Sequence, residues 1–178
     1  MDGAHLEYFR GIRNPIGLKV GPSCVPYELA RVVEDLNPEN EAGRLTVITR
    51  LGAERSQKQL PAQIRAVQRT GANVVWSCDP MHGNTTMTTD GFKTRRFDAI
   101  LAELRDSFEI HRAENSTLGG VHFELTAEDV TECVGGVTGL TDRDLSQRYD
   151  SACDPRLNYK QSLEMAFLCA EMLRKDRR

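Results

Sequence analysis

Three side chains of this sequence have the chemistry to share one divalent cation: His82, Glu124 and Asp154. Imidazole nitrogen and carboxylate oxygen together suit Mn, Fe, Co or Zn rather than a structural thiolate site. Lys19 and Arg50 have the complementary chemistry of holding an anion, and arginine grips a carboxylate or phosphate with two parallel hydrogen bonds. Lys93, Arg95 and Arg96 crowd what reads as the start of a helix, where positive charge opposes the helix dipole unless an anion faces it. Taken one at a time, the same residues have plainer readings. His82 is then a turn histidine closing a strand, and the cluster at 93–96 a solvated charged face.

These groups can act together only if the fold carries them to one place, and the pattern around them shows how. Asn73-Val74-Val75-Trp76 is a short apolar strand that Asp79-Pro80 and His82-Gly83-Asn84 break, leaving an acid and a histidine where the strand hands over to a loop. Ile16 to Val20 forms an earlier strand with Lys19 inside it. That strand is too short for the lysine to snorkel easily, so Lys19 is read as pointing into a polar site. Leu45 to Arg50 is a second strand ending on Arg50. Gly119 to Leu125 is a fourth, alternating Val121, Phe123 and Leu125 against His122 and Glu124.

Helical periodicity separates the strands. A short helix is expected over 4–13 with Leu6, Phe9 and Ile12 buried, and others over 26–36, 60–70 (Pro61 in its first turn, Gly71 closing it), 92–111 and 162–173. Residues 85–91 read as a polar loop, 126–133 as a helix or turn, and 141–149 as a short helix. The cluster Gly135-Gly136-Val137-Thr138-Gly139 lacks a P-loop lysine and reads as a flexible loop. Strand and helix alternating four times imply parallel strands covered by helices. In such α/β folds the carboxyl ends of the strands collect ligands, which puts Lys19, Arg50, His82, Glu124 and Asp154 on one rim.

Composition narrows the class. The chain has 178 residues, a formal net charge of -3 and 39% hydrophobic residues, enough for a real core. The only basic run is the C-terminal Arg174-Lys175-Asp176-Arg177-Arg178, so no nucleic-acid partner is expected. No apolar run approaches the ~20 residues of a membrane span, and no leading signal pattern is visible. Five scattered cysteines without metal-finger spacing suggest reduced thiols in a cytosol-like compartment.

Six segments together carry a resemblance. They are Gly17-Leu18-Lys19-Val20-Gly21-Pro22, Cys78-Asp79-Pro80-Met81-His82-Gly83-Asn84-Thr85, Gly91-Phe92-Lys93-Thr94-Arg95, Gly120-Val121-His122-Phe123-Glu124-Leu125-Thr126, Thr131-Glu132-Cys133 and Cys153-Asp154-Pro155-Arg156-Leu157-Asn158. In this order they resemble the class II (plant and microbial) 3-deoxy-D-arabino-heptulosonate 7-phosphate (DAHP) synthases over essentially the whole chain. The resemblance implies a (β/α)8 TIM barrel that condenses phosphoenolpyruvate with erythrose 4-phosphate, the first step of the shikimate pathway. It implies a cytoplasmic setting, or a plastid one for a plant precursor. Position by position, it makes His82, Glu124 and Asp154 metal ligands, for Mn²⁺ first and Co²⁺ as an alternative. Lys19 and Arg50 then hold phosphoenolpyruvate, and Lys93 lies near the phosphosugar end.

A full barrel needs eight βα units and about 250 residues, whereas four strands are legible here. The expectation is therefore a single partial domain over 1–178, four parallel βα units matching the C-terminal half of a barrel. By the resemblance, the N-terminal half supplies a fourth, cysteine ligand, a phosphate loop and a Glu-Arg pair that also contacts phosphoenolpyruvate. Half a barrel leaves two parallel edges and an inner face uncovered, so self-association or pairing with such a half is expected. Two other readings stand beside this one: a non-catalytic module keeping the family signature, and a metal-dependent hydrolase or lyase with His122 or Asp79 as base.

Overall fold

A computed structural model describes residues 3–176, so Arg177 and Arg178 of the basic run lie outside the described residues. The elements in order are α1 (Ala4–Arg10), β1 (Ile16–Val20), α2 (Pro26–Leu36), β2 (Leu45–Thr49), α3 (Ala53–Thr70) and β3 (Val75–Cys78). Then come β4 (Thr85–Met87), β5 (Lys93–Arg95), α4 (Phe97–Ala113), β6 (Leu118–Val121) and α5 (Tyr159–Asp176). β1, β2, β3 and β6 form one parallel sheet in that order. This arrangement is an α/β fold of βα units consistent with part of a TIM barrel.

Strand alternation separates two faces. Ile16 and Val20 of β1, Leu45 and Val47 of β2, and Trp76 and Cys78 of β3 are buried beneath the helices. The helices meet them with Leu29, Val32, Val33 and Leu36 of α2, Leu60, Ile64 and Val67 of α3, and Ile100, Leu104 and Phe108 of α4. Lys19, Ile48 and Ser77 share one register line on the opposite face. β1 and β6 are the edge strands, each paired on one side only. No helix among the described residues is long and apolar enough to cross a membrane.

Several boundaries differ from the expectations, each for a physical reason. α3 begins seven residues before the expected Leu60 and encloses Pro61. Its first two turns are polar and built from good helix formers, so propensity rather than apolar periodicity extends it. α4 starts at Phe97, not at 92, because Lys93–Arg95 pair antiparallel with Thr85–Met87 in a hairpin. The expected polar loop thus contains a strand, and the cations at 93–96 do not sit in a helix's first turn. β6 ends at Val121, and Glu124 O and Thr126 N–H bond the backbone of Leu157 instead. No helix forms over 126–133, and 141–149 holds only a one-turn 3-10 helix at Asp142–Asp144, closed by a Thr141/Asp144 capping box. The glycine cluster folds into another such turn, Gly136–Thr138, whose Val137 N–H donates to Glu164. α1 buries no residue fully: Leu6 is half-buried against the core and Phe9 stays exposed.

Candidate functional site

The carboxyl end of β3 builds the centre of the site. Asp79 follows the strand, is fully buried, and turns back to accept the backbone N–H groups of Met81 (3.0 Å) and His82 (3.1 Å) at Oδ1. This local turn fixes where His82 points. Asp79 Oδ2 accepts from Lys19 Nζ and from His82 Nδ1, the latter at 2.7 Å. Burial pushes the Asp79 carboxyl up, but the hydrogen bonds from Lys19 and His82 outweigh it and hold the group below its ordinary range. Because the Asp79 carboxylate only accepts, Nδ1 supplies the hydrogen of this contact, which leaves Nε2 as the ring atom that a cation would meet.

That nitrogen faces two carboxylates. His82 Nε2 lies 3.3 Å from Glu124 Oε1 and 3.6 Å from Asp154 Oδ2, and one ligand atom from each residue falls within 4.8 Å of the others. All three residues are partly exposed, so a cation can reach them. One N and two O donors at this spacing fit a borderline-hard divalent ion. A second grouping, Asp79, His82 and His122, is equally compact. It fits a cation less well, because all four acceptor positions of Asp79 are already filled. The same filling disqualifies Asp79 as a general base.

Loops of different origin bring the acids together. Glu124 follows β6, and its carbonyl accepts the Leu157 N–H at 3.1 Å, while the Thr126 N–H donates to Leu157 O at 3.0 Å. This short parallel pairing lays the 150–157 segment beside Glu124, which positions Asp154. Lys93 donates to Asp154 Oδ1 at 2.6 Å and holds that carboxyl below its ordinary range.

Arg95 is the functional residue whose role the sequence reading missed. It is fully buried, donates to Glu124, to Pro155 O and to Thr85 Oγ1, and places Nη2 3.7 Å from Asp154 Oδ2. Nη2 has no hydrogen-bond partner. The available signal was the period-two alternation in Lys93-Thr94-Arg95, which sends Lys93 and Arg95 to one side of a strand. Together Lys93 and Arg95 offset the charge of two carboxylates.

Lys19 and Arg50 line one cavity of about 630 Å³ with Leu6, Gly17 and Gly21. Arg50 sits one residue past β2, its N–H bonded to Val20 O at 2.9 Å, and its guanidinium lies beside Gly21. Lys19 therefore joins the cavity to the Asp79–His82 pair. Beneath, the carboxylate of Glu103 on α4 accepts from Leu51 N (2.8 Å), Gly52 N (3.0 Å) and Asn84 Nδ2 (2.7 Å), tying the Arg50 loop to the His82 loop.

Comparison with known proteins adds to this geometry. A family model described as the Class-II DAHP synthetase family matches residues 1–170. The chain is 52% identical over 174 residues to the phospho-2-dehydro-3-deoxyheptonate aldolase AroG of Mycolicibacterium smegmatis, covering 98% of this chain and 38% of that protein. A phospho-2-dehydro-3-deoxyheptonate aldolase of Neurospora crassa is 52% identical over 180 residues, covering 100% of this chain and 37% of its own length. One from Streptomyces coelicolor is also 52% identical over 174 residues, covering 98% and 39%. The chain thus spans under two fifths of the length of the curated relatives it matches.

Proposed function

We propose that this chain, which belongs to the class-II DAHP synthetase family, carries the metal-binding and phosphoenolpyruvate-binding part of a synthase that condenses phosphoenolpyruvate with erythrose 4-phosphate. The observation that carries the proposal is the convergence of His82, Glu124 and Asp154 within 4.8 Å, joined through Asp79 to Lys19. Mn²⁺ is the cation proposed, with Co²⁺ as the alternative. When bound, the ion supplies Lewis-acid polarisation of the sugar aldehyde.

The chain's own residues supply binding and orientation. Arg50 and Lys19 pair the carboxylate and phosphate of phosphoenolpyruvate and fix its C3 toward the aldehyde carbon. The new bond joins those two carbons, water adds at C2, and inorganic phosphate leaves. Lys93 serves the phosphosugar end of the site. Asp79 keeps the proton of His82 on Nδ1, and Arg95 offsets the charge of Glu124 and Asp154. The whole chain is read as one domain whose edge strands, β1 and β6, meet further chain or a second copy.

The test is condensation with Mn²⁺, phosphoenolpyruvate and erythrose 4-phosphate, following phosphate release, with light scattering for assembly size. Turnover abolished by His82→Ala and weakened in phosphoenolpyruvate dependence by Arg50→Lys supports the reading. So does Mn²⁺-dependent phosphoenolpyruvate binding without turnover, which assigns the chain a binding share of the site. Binding or turnover indifferent to both substitutions removes these residues from the reaction.

A further inference from the structure

Thr131-Glu132-Cys133 is a segment to which neither the metal set nor the anion cavity gives a task. Glu132 is fully buried, and its carboxylate collects five donors from one loop. Oε1 accepts from Asp150 N (3.1 Å), Ser151 N (2.8 Å) and Arg156 Nη2 (2.9 Å). Oε2 accepts from Arg156 N (2.7 Å) and Arg156 Nε (3.1 Å). The two ends of the 150–156 segment are therefore closed on one side chain, and Asp154 stands between them. Ser151 Oγ adds an internal brace, donating to Asp154 O at 2.7 Å.

The backbone of Glu132 is itself tied to β5. Its carbonyl accepts Thr94 Oγ1 at 2.8 Å, and Val134 N donates to Arg95 O at 2.9 Å. Glu132 thus connects the Asp154 loop rigidly to the strand bearing Lys93 and Arg95, the two cations that meet the Asp154 carboxylate.

We propose that Glu132 is a positioning residue that sets Asp154 for cation binding. The role rests on the metal-centre reading above. A carboxylate is required because all five partners are donors. Glutamine would turn one oxygen into an NH₂ group facing N–H groups, and aspartate is one methylene too short to close the loop.

The experiment is Mn²⁺ titration of the chain by electron paramagnetic resonance of the free ion, with circular dichroism to check folding. Glu132→Gln is expected to weaken Mn²⁺ binding about tenfold to a hundredfold, the effect typical of groups that orient a ligand. In an Asp154→Asn background, where the ligand is already lost, the same substitution should change affinity no further. If Glu132→Gln prevents folding, Arg156→Gln carries the test; it removes two of the five donors and should give a smaller loss that Asp154→Asn again cancels. Asp154→Asn weakening Mn²⁺ while Glu132→Gln leaves it unchanged, or the two losses adding in full, overturns the role of Glu132 and leaves the metal reading intact. Mn²⁺ binding indifferent to Asp154→Asn overturns both.

Discussion

His82 Nδ1 lies 2.7 Å from Asp79 Oδ2, and that one contact decides which ring nitrogen faces Glu124 and Asp154. The same Asp79 oxygen accepts from Lys19, so the cavity lined by Lys19 and Arg50 and the candidate metal centre share a buried carboxylate. We predict that Asp79→Asn weakens Mn²⁺ binding about tenfold to a hundredfold, because an amide permits the other tautomer. Calorimetric titration checks this. Unchanged affinity would show that the ring is oriented by something else.

Arg95 is buried among oxygens and donates to several of them at once. Arg95→Met should cost about 1–3 kcal/mol by leaving Glu124 and the Pro155 carbonyl without their donor, while Asp154 keeps Lys93. Arg95→Lys should recover little, since a point charge cannot reach the same partners as a planar fork. Saturating Mn²⁺ should return part of the loss by neutralising the two carboxylates. Denaturant unfolding with and without the ion measures both effects.

Glu103 sets a pH dependence of stability. Burial pushes its carboxyl up to about 7 from the ordinary 4.5, although hydrogen bonds from Leu51, Gly52 and Asn84 oppose the shift. The native chain therefore holds a proton between those values that the unfolded chain has released. Stability from this group is full below pH 4.5 and falls by about 3 kcal/mol as pH rises through 7. Glu103→Gln, which cannot ionise, should flatten this decline, whatever constant offset its amide adds by facing the Asn84 donor. Urea midpoints across that range check the sign, and an identical decline in the variant would exclude Glu103.

Gly83 and Gly52 touch where the His82 and Arg50 loops meet. A Cβ on Gly83 would lie 2.3 Å from Gly52 N and 2.9 Å from its Cα, both backbone atoms. Gly83→Ala should therefore cost about 3 kcal/mol or more and weaken phosphoenolpyruvate binding, because the Arg50 loop must move. Binding equal to that of the parent chain would show that the two loops move independently.

The legible part of the molecule was the part governed by periodicity. Apolar alternation located β1, β2 and β3, the 3.6-residue stripe located α2 and the body of α4, and residue chemistry singled out His82, Glu124 and Asp154 before any coordinates. What escaped was set by partners distant in sequence. Arg95 read as a cation at a helix start because three polar residues give a hairpin strand no apolar signature. Glu132 has no local pattern, since its five donors come from the segment 150–156. The first turns of α3 escaped because they lack apolar spacing. Asp79 was the nearest miss: the Asp-x-x-His spacing that ends β3 already allowed a carboxylate to orient an imidazole.

The most direct measurement is the number of Mn²⁺ ions held by the chain, counted by electron paramagnetic resonance in the parent and in His82→Ala and Glu124→Gln. A single bound ion per chain, lost or weakened at least tenfold in both variants, is the predicted result. An ion retained with unchanged affinity in both variants, or none bound by the parent chain, would contradict a metal centre at His82, Glu124 and Asp154.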